Sequence, residues 1–235
     1  KKKFWQYLML NNNFLIRSFT SLILIIILLF CLFYNNYSWQ ILLISFSFLC
    51  FYEFYNLIIK IYNKKFFGKI LLFLFFLHMY LFYFLSTNIR IKFGEEAILI
   101  LIISCVFSDI GGYVVGKLIG GPKLSNISPN KTISGAIGSI IFTVCGTSLF
   151  LLILNNIEKN QVITAVSIKF ILWLIFMSII CQMGDLFISY LKRKANLKDT
   201  GNILPGHGGI LDRVDGIILA IPFGVLMYLF LFIKL

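Results

Sequence analysis

An all-α, polytopic membrane protein with about seven transmembrane helices is the fold class this chain predicts, on three observations. Its 235 residues are 60% hydrophobic and 13% charged, with a mean hydropathy of +0.94, well above an ordinary soluble domain. The apolar residues fall in windows of about 20, the length needed to cross a hydrocarbon core. Lys and Arg gather in alternate connections between those windows, as the positive-inside rule requires.

The first window, 15 to 34, follows a basic segment containing Lys1, Lys2 and Lys3 and begins around Arg17. Its apolar core is long and no small-residue cleavage site follows, so it reads as a retained anchor rather than a leader peptide. Further windows run from 39 to 59, 66 to 86, 96 to 118, 136 to 155, 168 to 190 and 209 to 233, which makes seven. Lys60, Lys64, Lys65 and Lys69 follow the second window, Lys117, Lys123 and Lys131 the fourth, and Lys192, Arg193, Lys194 and Lys198 the sixth. On the other side Arg90 and Lys92 are offset by Glu95 and Glu96, and Lys159 stands beside Glu158. This asymmetry predicts a cytoplasmic N-terminus and an external C-terminus.

The formal charge of +12 does not point to nucleic acid, because the polar stretches of a solvent-facing basic domain are missing between the apolar runs. Cys31, Cys50, Cys105, Cys145 and Cys181 are scattered singly, with no CxxC or Cys/His spacing, so they predict neither a disulfide framework nor a zinc site. Glu53, alone among aromatic residues, reads as a buried polar contact.

All five aspartates, Asp109, Asp185, Asp199, Asp212 and Asp215, then fall at or near the cytoplasmic face. Acids inside spans are costly enough to demand a reason. Asp212 and Asp215 are three residues apart at the start of the seventh span, so on a helix they share one face. With Asp185, about two turns before Lys192, they form a three-carboxylate group that suits Mg²⁺, a hard cation that binds through a few carboxylates and substrate phosphates. Taken alone, Asp185 also fits a salt bridge to a neighbouring basic residue. Lys192, Arg193, Lys198 and Arg213 surround the group, a mixture that a metal-bound phosphate ester needs.

Between the sixth and seventh spans, Gly201, Pro205, Gly206, Gly208 and Gly209 predict an irregular loop entering a helix N-terminus. Such an end favours anions, and tight turns also use glycine for purely steric reasons. His207 either donates to phosphate or caps the loop. A second cluster, SDIGGYVVGKLIGGPKLSNISPNKTISG from 108 to 135, joins the embedded Asp109 to a basic, hydroxyl-rich loop with Ser128, Lys131 and Thr132. That loop suits phosphate contacts, while Gly112 and Gly116 suit close helix approach.

The run from Ser189 to Asp215 resembles the signature of the phosphatidate cytidylyltransferases, the CDP-diacylglycerol synthases. It carries Ser189, Lys192-Arg193, Lys198-Asp199, Gly201, Leu204, His207-Gly208-Gly209, Asp212-Arg213 and Asp215 without a gap. The upstream S-D-x-x-x-Y-x-x-G and S-P-x-K-T segments are similar too, so the resemblance covers at least residues 104 to 235; the family often has Glu where this chain has Ser134. The resemblance implies a nucleotidyltransferase of phospholipid synthesis that joins CTP to phosphatidic acid with Mg²⁺, giving CDP-diacylglycerol and pyrophosphate. In that reading residues 1–235 are one integral membrane domain, with N-terminal helices of uncertain role in 1–95 and catalytic helices and cytoplasmic loops in 104–235. Asp185, Asp212 and Asp215 are the metal-binding and catalytic positions. Ser128, Lys131, Thr132, Lys192, Arg193, Lys198, His207 and Arg213 are the substrate contacts. The expected setting is a bacterial inner membrane with the site facing the cytoplasm, the lipid bilayer as the other partner, no nucleic acid, and a homodimer as one possible assembly.

Two other classes share some of these features. An ion-coupled transporter also uses intramembrane acids and glycine-broken helices, but the internal duplication it predicts is absent and the acids here gather toward one face. A CDP-alcohol phosphatidyltransferase also clusters aspartates, yet the Ala-Arg expected after Asp-Gly does not follow Asp215-Gly216.

Overall fold

The computed structural model describes residues 2–63, 65–125, 127–158, 167–206 and 208–232. Six helices follow one another there: α1 (Lys2–Tyr34), α2 (Asn36–Tyr62), α3 (Phe66–Ile119), α4 (Ile133–Glu158), α5 (Ile168–Lys194) and α6 (Leu211–Phe232). Each contains a stretch long and apolar enough to cross a membrane, and the chain is an integral membrane protein.

Six helices hold the seven predicted crossings because the third and fourth windows share α3. A straight helix of 54 residues would be roughly 80 Å long, far more than the ~30 Å of a hydrocarbon core. Arg90, Lys92, Glu95 and Glu96 do not end it, since Lys, Arg and Glu are good helix formers. Gly94 alone departs from helical geometry, at φ 81° and ψ 178°, a conformation open to glycine. The turn between the two crossings is therefore one residue rather than a polar loop.

The chain packs as two compact units, Lys1–Tyr83 with Lys194–Arg213, and Phe84–Arg193 with Val214–Leu235. In the first, Asn35 separates α1 from α2 and caps α2: its Oδ1 accepts from Ser38 N at 2.7 Å, and Ser38 Oγ accepts from Asn35 N at 3.3 Å. Phe54 of α2 stacks on Phe75 of α3 with ring centroids 3.9 Å apart, and Lys194 donates to Tyr62 Oη at 2.9 Å.

In the second unit small residues bring helices together, as Gly112 and Gly116 predict. A Cβ on Gly112 would fall 2.7 Å from Ser139 Oγ, and one on Gly116 would fall 3.4 Å from Gly135 Cα. The α5–α6 contact is similarly close. A Cβ on Gly184 would lie 2.5 Å from the Asp215 carbonyl oxygen, and one on Gly216 would lie 2.6 Å from Cys181 Sγ. A buried hydroxyl pair joins α3 to α5, Ser108 Oγ to Ser178 Oγ at 3.0 Å, and Trp173 Nε1 of α5 donates to Gly224 O of α6 at 2.7 Å.

Candidate active site

The glycines that let α5 and α6 touch are the immediate neighbours of two aspartates, Gly184 of Asp185 and Gly216 of Asp215. Close backbone approach at this point is therefore what draws the two carboxylates together. Asp109 of α3 joins them: in the second unit Asp109, Asp185 and Asp215 each stand within electrostatic reach of the other two. Asp185 accepts from Ser189 Oγ at 3.2 Å, Asp215 Oδ1 from Gly216 N at 2.8 Å, and Asp109 Oδ1 lies 3.9 Å from Cys181 Sγ.

A built loop delivers the opposing charge. Gly120 and Gly121, at φ 66° and 110°, end α3 in the left-handed manner that lacks a steric cost only for glycine. The chain then doubles back. Lys123 bridges to Thr132, Leu124 N donates to Lys131 O at 2.8 Å, Lys131 N to Ser128 O at 3.1 Å and Ile133 N to Pro122 O at 3.0 Å. Thr132 Oγ1 caps α4 by accepting from Gly135 N at 3.1 Å, and Ser134 Oγ donates to Gly120 O. Held this way, Lys131 forms an ion pair with Asp185. The salt bridge that Asp185 suggested on its own is present, and its partner is the lysine of the hydroxyl-rich loop. Lys131 is also within reach of Asp109, and Lys192 of Asp215. Three carboxylates and two lysines thus face one another in this unit.

In the first unit, Asp212 opens α6. Its Oδ2 accepts from Thr200 N at 2.7 Å, Thr200 Oγ1 at 3.0 Å and Gly209 N at 3.2 Å. The connection is further folded by paired hydrogen bonds between Leu204 and Gly208, 2.9 and 3.2 Å long. Lys198 is exposed and borders a cavity of about 310 Å³ with Asn56, Lys60, Asp199, Thr200 and Asn202. Arg193 and Arg213 are exposed. His207 lies outside the described residues.

The sequence reading grouped Asp185, Asp212 and Asp215 as one carboxylate site with Lys192, Arg193, Lys198 and Arg213 around it and Lys131 assisting. The second unit brings Asp185, Asp215, Lys131 and Lys192 together, whereas Asp212, Lys198 and Arg213 belong to the first unit, where Asp212 Oδ2 is taken up by the loop. The sequence reading did not assign Asp109 to the site, although an acid inside an apolar span was the available signal. Among the described residues, no three His, Cys, Asp or Glu side chains form a ready-made metal cage. Asp109, Asp185 and Asp215, on three helices, lie within electrostatic reach of one another, and carboxylate oxygens are the ligand type that suits a hard cation such as Mg²⁺, which completes its shell with water and substrate phosphate.

The model of the Cytidylyltransferase family matches residues 60–232. The chain belongs to that family. Among curated relatives, a phosphatidate cytidylyltransferase of Helicobacter pylori is 40% identical over 141 residues, 58% of this chain and 48% of that protein. One of Bacillus subtilis is 38% identical over 145 residues, 60% of this chain and 50% of its own. One of Brucella suis is 41% identical over 139 residues, with 59% and 47% covered. The chain spans about half the length of these relatives.

Proposed function

We propose that the chain transfers the cytidylyl group of CTP to phosphatidic acid, giving CDP-diacylglycerol and pyrophosphate for phospholipid synthesis. The observation that carries this reading is that the family match, residues 60–232, encloses both the acid–lysine cluster and the loop that opens α6. A phosphate oxygen of the lipid forms a new bond to the α-phosphorus of CTP as the bond to the β-phosphate oxygen breaks, so no covalent protein intermediate is required.

The chain's own part is to bind, orient and neutralise. Lys131 and Lys192 supply positive charge beside the carboxylates, and Lys198 and Arg213 hold phosphates from the loop side. Ser128, Thr132, Arg193 and His207 are further contacts in this reading. Asp185 and Asp215, with Asp212 one turn ahead of Asp215 on α6, are the residues that would hold Mg²⁺; the ion supplies neutralisation of phosphate charge. The Lys and Arg asymmetry supports a site at the cytoplasmic face of a bacterial inner membrane, where phosphatidic acid arrives from the bilayer. A homodimer is the assembly proposed with this scheme.

The test is turnover by purified protein in detergent, with CTP labelled in the cytidine moiety and phosphatidic acid. Label is expected in the lipid fraction. Label that stays in released nucleotide, with phosphatidic acid unchanged, overturns the reading.

A further inference from the structure

Glu53 lies in α2, 1% exposed, and what it touches is the signature loop. Its Oε1 accepts from Ile210 N at 3.0 Å, and its Oε2 accepts from Leu211 N at 2.9 Å and from Thr200 Oγ1 at 2.9 Å. The two amides are the entry to α6, whose first N–H groups have no partner within the helix. A carboxylate there satisfies them and meets the positive end of the helix dipole, which offsets the desolvation of a buried charge. The same Thr200 hydroxyl lies 3.0 Å from Asp212 Oδ2. A hydroxyl carries one proton, so Glu53 and Asp212 share a single O–H, and the position of one carboxylate fixes the other through Thr200. Gly209 leaves room for this knot, since a Cβ there would fall on Thr200 Oγ1 and Glu53 Oε2.

We infer that Glu53 is a positioning residue: it clamps Thr200 and the first turn of α6 so that Asp212 is presented in one orientation. Glu53 itself contacts neither substrate nor metal. The proposal deepens the cytidylyltransferase reading and rests on it for its kinetic part. It also gives the N-terminal helices a task, which is to supply the post against which the loop is built.

Glu53→Gln keeps the shape but replaces one acceptor oxygen with an amide donor, which in either orientation faces a backbone N–H, of Ile210 or of Leu211, that it cannot bond. Thr200→Val removes the shared proton. Hydrogen exchange is measured first, without metal or nucleotide. Glu53→Gln is expected to lose protection at Thr200, Ile210 and Leu211 while the rest of α2 stays protected. In turnover, both variants are expected to need about 10- to 100-fold more Mg²⁺ for half-maximal rate, the usual scale for residues that orient a ligand. Serine at position 200 should give back most of what valine loses, and the double variant Glu53→Gln/Thr200→Val should be no worse than the poorer single one. If Glu53→Gln does not fold, Thr200→Val alone carries the test. Unchanged protection and unchanged Mg²⁺ requirement in a folded variant overturn the proposal, as does a loss of rate that only tracks a smaller folded fraction. If the wild type transfers no cytidylyl group, the functional reading fails, while the exchange result still decides the clamp.

Discussion

Two carboxylate groups in this chain sit in opposite circumstances. Around the loop of the first unit, Glu53 and Asp212 accept from four backbone N–H groups, Thr200, Gly209, Ile210 and Leu211, and share the one hydroxyl proton of Thr200. In the second unit, Asp109, Asp185 and Asp215 face one another with Lys131 and Lys192 as the opposing charges. The first group is satisfied by the backbone it organises. The second concentrates like charge at a membrane helix contact, which is costly unless a cation or a phosphate-bound metal uses it. The contrast separates carboxylates held by backbone and hydroxyl donors from carboxylates set near like charge.

The largest effect that would break this contrast is expected at the second group. Asp215→Asn keeps the shape and removes the charge, and should abolish turnover with folding intact; Asp212→Asn should do the same if Asp212 also faces the metal. Near-normal rates at ordinary Mg²⁺, with normal helical circular dichroism, would refute the metal assignment. Next come the phosphate contacts. Lys198→Ala and Arg213→Ala should each lower kcat/KM for CTP by about 10- to 150-fold, the equivalent of 1.5 to 3 kcal/mol for a hydrogen bond to a charged group, without rescue by extra Mg²⁺. A loss in KM alone marks a ground-state contact, and a loss in kcat as well marks one that forms as charge develops.

A smaller effect probes how the acids are brought together. Gly184→Ala places a methyl 2.5 Å from the Asp215 carbonyl oxygen, so α5 and α6 must part. Thermal unfolding in detergent should show a loss of about 1 to 3 kcal/mol, with turnover reduced at temperatures where the variant is still folded. The smallest effect is expected at Lys194, whose ammonium lies 4.6 Å from the Tyr62 ring centroid. Lys194→Met should cost at most about 1 kcal/mol and leave the CTP kinetics of the folded enzyme alone.

Much of this was legible in the sequence. The apolar windows located the crossings, and the fixed polar positions from Ser189 to Asp215 carried the family. Asp212 and Asp215 read as a pair because a helix makes neighbours of residues three apart, but local spacing did not show that Asp212 Oδ2 would be taken up by Thr200 and Gly209. Long-range pairings were not readable in that way. Glu53 and Thr200 are separated by 147 positions, and nothing local to an acid among aromatics says which distant amide it will cap. Lys131 and Asp185, 54 apart, meet only because two glycines end α3 and the loop turns back. The same limit hid how short the turn inside α3 is, because the charged residues around Gly94 resemble a loop in composition while Gly94 alone leaves helical geometry.

The topology can be fixed independently. Single cysteines at Ser125 and Asn202, in a background without native cysteines, should react with an impermeant reagent from the cytoplasmic side, and one at Lys92 from the outside. Reversal of either group would reverse the proposed orientation.

Central to the proposed function is that Asp185 and Asp215 hold a divalent cation. Mn²⁺ binding, followed by electron paramagnetic resonance on purified protein with CTP present, tests this most directly. The account predicts that Asp215→Asn weakens Mn²⁺ binding at least tenfold relative to wild type, well beyond the change in CTP alone. Equal Mn²⁺ affinity in the two proteins, with the variant folded, would contradict it.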